Sequence, residues 1–137
     1  MISFVVQNVP DAFRERVRLR RWLGRVAQDH GTRIDAVTYV LMDDEALLRY
    51  NRDFLQHDDY TDVITFPVES NNGVCGDVLM SHERIKENAS EYQVPVAHEL
   101  RRVMVHGLLH LLGHDDRTKA KKAAMRTLED KYLARYR

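Results

Sequence analysis

The chain has 137 residues, 44% of them apolar, so it can bury a hydrophobic core in one domain, and its composition argues against a disordered polypeptide. Its 21 basic and 21 acidic residues cancel, so any surface that attracts nucleic acid must be a local patch. The single cysteine, Cys75, excludes an intramolecular disulfide and a multi-cysteine zinc site, and it suits a reducing compartment. No signal peptide or membrane span is predicted. We therefore expect a cytoplasmic protein with one domain over residues 1–137 and no membrane partner.

Runs of β-branched and aromatic residues predict four strands, and capping or turn residues between them predict five helices. In the first helix, Leu19, Trp22, Leu23 and Val26 recur at helical spacing, so they form one apolar face. The predicted strands are Ile2–Val6, Ile34–Leu41, Thr61–Phe66 and Val74–Met80. The predicted helices run from Pro10 or Asp11 to Gly31, from Asp43 or Asp44 to Phe54, from Ser81 to just before Pro95, from Val96 to Leu112 and from Lys119 to Tyr136.

This order of elements predicts an α+β fold, a single domain in which about five helices pack on a mixed four-stranded sheet. Only a short turn, Asn71–Gly73, separates the third and fourth strands, so those two strands are predicted to pair antiparallel. Trp22 and Cys75 are expected in the core, the cysteine as a small hydrophobic residue.

Two histidines, His106 and His110, lie inside the helix Val96–Leu112, which is apolar nearly all round from Val103 onward and should be buried. Burying two imidazoles without partners costs free energy, so something must satisfy them. Residues four apart share one helix face, with Cβ atoms about 6 Å apart, and two such imidazoles reach a single ion. The pattern predicts a site for one divalent metal ion at the end of this buried helix.

A third ligand is expected after Gly113, because a glycine with a left-handed backbone ends a helix and reverses the chain. Asp116 is far enough along to fold back over the last turn, so it is the preferred third ligand. His114 is the less favoured alternative, because eight residues of straight helix would separate it from His106 by about 12 Å.

Three protein ligands leave a fourth coordination position for water, which is the pattern of a catalytic zinc site. Zinc is preferred, although two histidines and a carboxylate also suit other first-row metals. Zinc proteases commonly carry a glutamate directly after the first histidine, and this chain has Gly107 there, which argues against a peptide substrate. A phosphodiester substrate is compatible, because a metal both polarises a phosphoryl oxygen and activates water.

Three stretches of the chain together resemble one known family. His98–Leu100 and His106–Asp115 (HGLLHLLGHD) are similar to the histidine motif of the YbeY family of rRNA maturation endoribonucleases. Thr61–Pro67 (TDVITFP) is similar to that family's Thr-Asp-Val-Leu-Ser-Phe-Pro segment, and Gly76–Val78 is similar to its Gly-Asp-Ile strand. The order and spacing of the stretches match as well, so the resemblance covers most of the chain.

The resemblance implies a metal-dependent endoribonuclease that prefers single strands. It would act on ribosomal RNA at the 3′ end of the small-subunit RNA and in ribosome quality control, with the small ribosomal subunit as its partner. The family motif places the metal ligands at His106, His110 and position 116. The family usually has histidine at the third position, where this chain has Asp116; a carboxylate binds zinc too, but weakens its Lewis acidity. Leu55 replaces the arginine of a family Arg-Gly-Lys-Asp run, so that arginine's role cannot be transferred, and whether His57 compensates is left open.

Two basic clusters are candidate surfaces for the substrate. The cluster that follows the metal motif is preferred, and it consists of Lys119, Lys121, Lys122 and Arg126. A second set forms a stripe along the first predicted helix, which we interpret first as a solvated face: Arg14, Arg18, Arg21 and Arg25. Asp62 and Asp77 are weaker candidates for orienting the metal ligands, because turn or strand-end chemistry also explains them.

Two alternatives to the endoribonuclease remain open at this point. One is a metallohydrolase of another substrate such as a peptide, and Gly107 argues against it. The other is a ribosome-associated binding protein whose metal is structural, and the open coordination position argues against it.

Overall fold

A computed structural model of the chain describes residues 1–137 and contains four strands and five helices in one domain. The strands are β1 (Ile2–Val6), β2 (Ile34–Met42), β3 (Val63–Val68) and β4 (Val74–Ser81). They form one sheet in the order β1-β2-β4-β3, in which β1, β2 and β4 are parallel and β3 is antiparallel to β4. The mixed four-stranded sheet and the antiparallel pair are therefore confirmed.

The helices are α1 (Arg16–Asp29), α2 (Asp44–Leu55), α3 (His82–Tyr92), α4 (Val96–Leu111) and α5 (Lys119–Leu133). The main core lies between one face of the sheet and the helices α1, α3, α4 and α5, and Trp22 is buried in it. A smaller cluster on the opposite face packs α2 against the sheet through Leu47, Ile64 and Leu79. Cys75 is only partly buried, so the prediction that it is a core residue is confirmed only in part. None of the five helices is long and apolar enough to cross a membrane.

The first helix begins at Arg16, so the predicted start at Pro10 or Asp11 is wrong. The side chain of Asp11 accepts a hydrogen bond from the backbone N–H of Phe13 at 2.9 Å, which holds the chain in a turn instead of a helix. That turn inserts Phe13 into the core, where its ring lies 4.9 Å from the ring of Phe4. Burial of one aromatic side chain therefore outweighs the helix-start signal of Pro10.

The central helix α4 packs closely on β4 at Gly107. A Cβ atom added to this glycine would lie 2.5 Å from Val78 Cγ1, so any larger residue would push the helix off the sheet. The absence of a glutamate after His106 thus has a packing reason. The close approach also fixes how deep the two histidines of α4 lie beside the sheet.

Candidate metal centre

The two histidines of α4 face each other on the side of the helix that lies beside β3. His106 Nε2 and His110 Nε2 are 3.0 Å apart, and the two rings meet edge to face with their centroids 4.6 Å apart. Both side chains are mostly buried, with 17% and 24% of their surface exposed. The i, i+4 spacing has therefore brought two ring nitrogens to one point, as the sequence predicted.

The chain reverses after α4 through Gly113, which has a φ of 101°. The N–H of Gly113 donates to the His110 carbonyl at 3.0 Å, and the N–H of His114 donates to the Leu109 carbonyl at 3.0 Å. These two bonds are the Schellman arrangement that follows an αL residue at a helix end. The reversal brings Asp116 Oδ2 to 3.7 Å from the Nε2 atoms of both histidines.

His106, His110 and Asp116 form a group whose ligand atoms all lie within 4.8 Å of one another. Zinc ligands lie about 2.0–2.1 Å from the ion, which places the ligand atoms of a tetrahedral site about 3.3 Å apart. The separations of 3.0, 3.7 and 3.7 Å fall on both sides of that value, so the three side chains fit one ion with small adjustments. These residues can hold a metal ion.

The Nδ1 atom of His106, on the opposite side of the ring from Nε2, contacts a buried carboxylate on α5. His106 Nδ1 donates to Glu129 Oε2 at 2.6 Å, so the lone pair of the neutral ring lies on Nε2, the atom that faces His110. Burial alone would raise the pKa of Glu129, but the hydrogen bonds from His106 and Arg102 outweigh it and hold that pKa below its usual value. Glu129 is therefore ionised, and its contact with Nδ1 orients the His106 ring so that Nε2 points toward His110 and Asp116.

Arg102 links Glu129 to the rest of a buried polar network. Its Nη1 lies 2.8 Å from Glu129 Oε1, its Nε donates to Glu99 Oε1 at 2.8 Å, and its Nη2 is 3.9 Å from Asp62 Oδ2. The environment of Asp62 raises its pKa through burial, against the opposing charges of Arg102 and His106. Asp62 thus belongs to the surroundings of the histidines, whereas Asp77 is exposed on β4 and makes no hydrogen bond to either of them.

His110 is kept neutral by its surroundings. Its pKa is lowered first by burial and then by the neighbouring His106, while Asp116 opposes the shift. A neutral imidazole is the form that binds a metal ion, so these two causes favour the ligand state.

His114 points away from this group. Its Nε2 lies 2.8 Å from Nε2 of His30, the residue that ends α1, and His30 Nδ1 lies 2.8 Å from the Val26 carbonyl oxygen. The His114 ring therefore contacts His30 at the end of α1 and not the two histidines of α4. This geometry matches the expectation that Asp116, and not His114, comes back to the two histidines of α4.

The three candidate ligands lie in a cleft of about 480 Å³ between α4, β3 and the segment that joins α2 to β3. Leu55 and His57, the two residues singled out before the Thr61–Pro67 segment, both line this cleft. The lining includes no lysine or arginine, and its charged members are Asp59, Asp62 and Asp116. Apart from its histidines, the charged side chains of the cleft are therefore all acidic.

None of the basic residues singled out on α5 lines this cleft. All four are exposed; Lys121 is paired with Asp115 at 3.1 Å, and Arg126 lies over the ring of Tyr92. These four residues are Lys119, Lys121, Lys122 and Arg126. The arginine stripe of the first helix is divided as well, because Arg14 precedes α1 and Arg18 pairs with Glu15 at 3.1 Å.

The sequence motifs did not predict a role for Glu129, which contacts His106 in the structure. It lies on the buried face of α5 with Met125 and Tyr132, spaced four and three residues from it. A carboxylate among apolar residues at helical spacing needs a partner, because burying an unpaired charge is costly. That signal was present in the sequence, but it did not identify His106 as the partner.

Comparison with known proteins agrees with the resemblance of the motifs. A family model described as Endoribonuclease YbeY matches residues 7–137. A Cytophaga hutchinsonii protein named Endoribonuclease YbeY is 41% identical over 134 residues, which cover 97% of this chain and 94% of that protein. A Phocaeicola vulgatus protein of the same name is 34% identical over 134 residues, covering 98% and 97%.

A solved structure supports the fold. The solution structure of a Thermotoga maritima protein superposes with a TM-score of 0.66 at 25% identity, and the match covers 97% of this chain and 87% of that one. The family model spans the histidine motif, the Gly113 reversal and Glu129, so it includes the whole candidate centre. The chain belongs to the YbeY endoribonuclease family.

Proposed function

We propose that this protein is a metal-dependent endoribonuclease whose single divalent ion is held by His106, His110 and Asp116. The observation that carries the proposal is the convergence of these three side chains within 4.8 Å in an open cleft, in a chain that belongs to an endoribonuclease family. Asp116 is 38% exposed, so the group is open toward the cleft. That exposure favours a reacting site over a closed structural one.

The division of tasks among the residues follows from their contacts. When bound, the ion would polarise a phosphoryl oxygen of the substrate and make water available as a nucleophile near neutral pH. Glu129 holds the His106 ring in its ligand state, and Arg102 holds Glu129 in turn. Asp116 contributes a negative charge, so this centre is a weaker Lewis acid than one with three neutral histidines.

The cleft itself favours a role of the ion in substrate binding. Leu55 offers no charge at the position of the family's arginine, and three carboxylates line the same space. An ion is then the main source of positive charge within reach of the scissile phosphate. We therefore infer that removal of the metal weakens binding of RNA in the cleft as well as abolishing cleavage.

The finer assignments rest on the family and on the shape of the site. We infer that the ion is zinc, that the substrate is single-stranded, and that the protein acts in the cytoplasm with the small ribosomal subunit. There it would process the 3′ end of the small-subunit RNA and serve ribosome quality control. RNA that leaves the cleft would pass the first half of α5, where Lys119 and Lys122 are exposed and Lys121 and Arg126 could exchange their present partners for phosphate groups.

A cleavage assay with metal control tests the proposal. Purified protein is incubated with unstructured RNA, with duplex RNA and with casein, before and after chelation and again after zinc is restored. We expect cleavage of the unstructured RNA only, loss of cleavage with chelator and recovery with zinc. Cleavage that survives both chelation and His106→Ala would refute the metal centre, and hydrolysis of casein alone would refute the RNA substrate.

A further inference from the structure

A second concave site lies at the opposite edge of the sheet from the cleft that contains His106, His110 and Asp116, which we call the metal cleft. Its volume is about 530 Å³, and it is lined by the starts of β1 and β2 and by one face of α1. Four arginines line it together with Gly24, and no acidic residue does: Arg20, Arg21, Arg25 and Arg33. In a chain with no net charge, this is a local concentration of one sign of charge.

The four arginines have no carboxylate partner. Six arginines of the chain lie within 4.0 Å of an aspartate or glutamate oxygen, and none of the four does. Other exposed arginines such as Arg14 and Arg49 are unpaired too, so the distinguishing feature of the four is that they line one pocket. Gathering like charges without counter-charges costs free energy, and an anion in the pocket removes that cost. A bound anion would therefore lower the electrostatic free energy of this pocket.

Two of the four guanidinium groups are already positioned. Arg20 Nε donates to the Ile2 carbonyl at 3.0 Å, and Arg33 Nε donates to the Asn72 carbonyl at 2.9 Å. Each bond fixes the plane of a guanidinium through one nitrogen, and the terminal nitrogens remain available. Arginine forks of this kind match pairs of phosphate oxygens, and positioning them in advance lowers the entropic cost of binding.

Gly24 gives a second, independent indication of a ligand. It lies in the middle of α1, where glycine lowers helix stability by about 1 kcal/mol relative to alanine. A Cβ atom added there would meet nothing within 4 Å, so packing does not require the glycine. A side chain at this position would enter the space between Arg21 and Arg25, and its absence keeps the backbone open to a ligand.

We propose that this arginine pocket binds phosphate groups of the RNA strand at a distance from the site of cleavage. The inference rests on the proposed function, because it takes the substrate to be RNA. The cleft that holds the candidate metal ligands has no lysine or arginine in its lining, so contacts to phosphates beyond the one at the ion would come from other surfaces. The pocket lies beside β1 and the cleft beside β3, the two edge strands, so only an RNA long enough to reach both would use it.

The test compares long and short substrates on the metal-loaded enzyme. The variant Arg21→Gln/Arg25→Gln removes two charges, and the matched control Arg14→Gln/Arg49→Gln removes two exposed, unpaired arginines outside the pocket. For an unstructured RNA of about 30 nucleotides, we expect the pocket variant to raise KM about tenfold with kcat unchanged. The salt dependence of binding should lose about 1.4 from its logarithmic slope, since each single-strand phosphate contact contributes about 0.7.

A substrate of about 4 nucleotides should not respond, because it fills only the cleft. Gly24→Gln provides a second variant that keeps all four arginines but fills the pocket; it should raise KM for the long RNA while the melting temperature stays equal or rises. Equal KM values for the pocket variant and its control, together with normal binding by Gly24→Gln, would overturn the proposal.

The proposed function fails separately from this inference. RNA binding is therefore also measured by fluorescence anisotropy on chelated protein, where no cleavage is needed. Loss of affinity in the pocket variant without any cleavage by the wild type would keep the arginine site and reject the nuclease. Normal cleavage with unchanged affinity and slope would do the reverse. Stabilisation of the wild type by free inorganic phosphate, with no effect of RNA, would reassign the pocket to a small phosphate ligand and reject the RNA proposal.

Discussion

The protein contains two histidine pairs with nearly the same geometry and different chemical surroundings. His106 and His110 have Nε2 atoms 3.0 Å apart with rings at 72°, and His30 and His114 have Nε2 atoms 2.8 Å apart with rings at 84°. Only the first pair has a carboxylate, Asp116, within ligand distance of both rings. The distance between two imidazoles therefore does not by itself distinguish a metal centre from a hydrogen-bonded pair.

The hydrogen-bond partner of the Nδ1 atom also distinguishes the two pairs. His106 donates its Nδ1 proton to the carboxylate of Glu129, which strengthens the ring as a ligand. His30 has its Nδ1 atom 2.8 Å from a backbone carbonyl oxygen, so its ring is fixed but receives no negative charge. The surroundings of the first pair suit a bound cation, and the second pair connects the end of α1 to the loop after α4.

The largest expected effect comes from removing one member of each pair. His110→Ala should abolish stoichiometric metal binding and lower RNA cleavage about a hundredfold or more, because two ligands no longer hold the ion against water. His30→Ala should leave metal content and cleavage within about threefold of the wild type. Elemental analysis and a cleavage assay on both variants measure this contrast. Metal loss in His30→Ala with retention in His110→Ala would exchange the roles of the two pairs.

The next effect concerns the carboxylate that only one pair possesses. Asp116→Ala should weaken metal binding more than about a hundredfold, beyond the usual loss on changing an outer hydrogen-bond partner. Asp116→His, which supplies another side chain that binds zinc, should retain the ion. Asp115→Ala is the matched control, because Asp115 pairs with Lys121 and faces away from the cleft. Chelator competition gives the affinities, and equal values for the two alanine variants would remove Asp116 from the ligand set.

The convergence of the three candidate ligands could be predicted from sequence because it depends on local geometry. The i, i+4 spacing fixes the faces of His106 and His110, and Gly113 fixes the reversal that brings back Asp116. The strands, to within two residues at each end, and four of the five helix starts follow from equally local signals; the largest offset is at β3, which includes Pro67 although that proline was expected to limit it. The start of α1 could not be predicted in this way, because the burial of Phe13 against Phe4 is a contact between separate segments.

The supporting groups depend on contacts that are distant in sequence. Glu129 reaches His106 across 23 residues, and His30 reaches His114 across 84. No spacing rule connects such residues, so the second histidine pair and the carboxylate behind the first required the packing of α5 and α1. The four arginines predicted to form one stripe also lie in different surroundings. Arg14 precedes α1 and Arg18 pairs with Glu15, whereas Arg21 and Arg25 line the pocket beside β1.

A smaller effect is expected from the group behind the first pair. Glu129→Gln should weaken metal binding about 10- to 100-fold, because the His106 ring loses its charged partner. Glu99→Gln is the matched control, since it also takes a buried carboxylate from Arg102 but does not touch His106. Chelator competition and the melting temperature separate the two roles. Equal metal affinities for both variants would show that the network serves stability alone.

The smallest effect is a pH dependence of the second pair. The pKa of His114 is lowered by burial and then by the proximity of His30. A lowered folded-state pKa stabilises the fold above the unfolded value of about 6.5, and that contribution is lost as the pH falls through the folded pKa. In chelated protein, moving from pH 8 to pH 5 should therefore lower the melting temperature of the wild type about one to two degrees more than that of His114→Gln, which cannot take up a proton. Acidification affects His106 and His110 equally in both proteins, so their contribution cancels. An equal loss in the two proteins would mean that folding does not lower the pKa of His114.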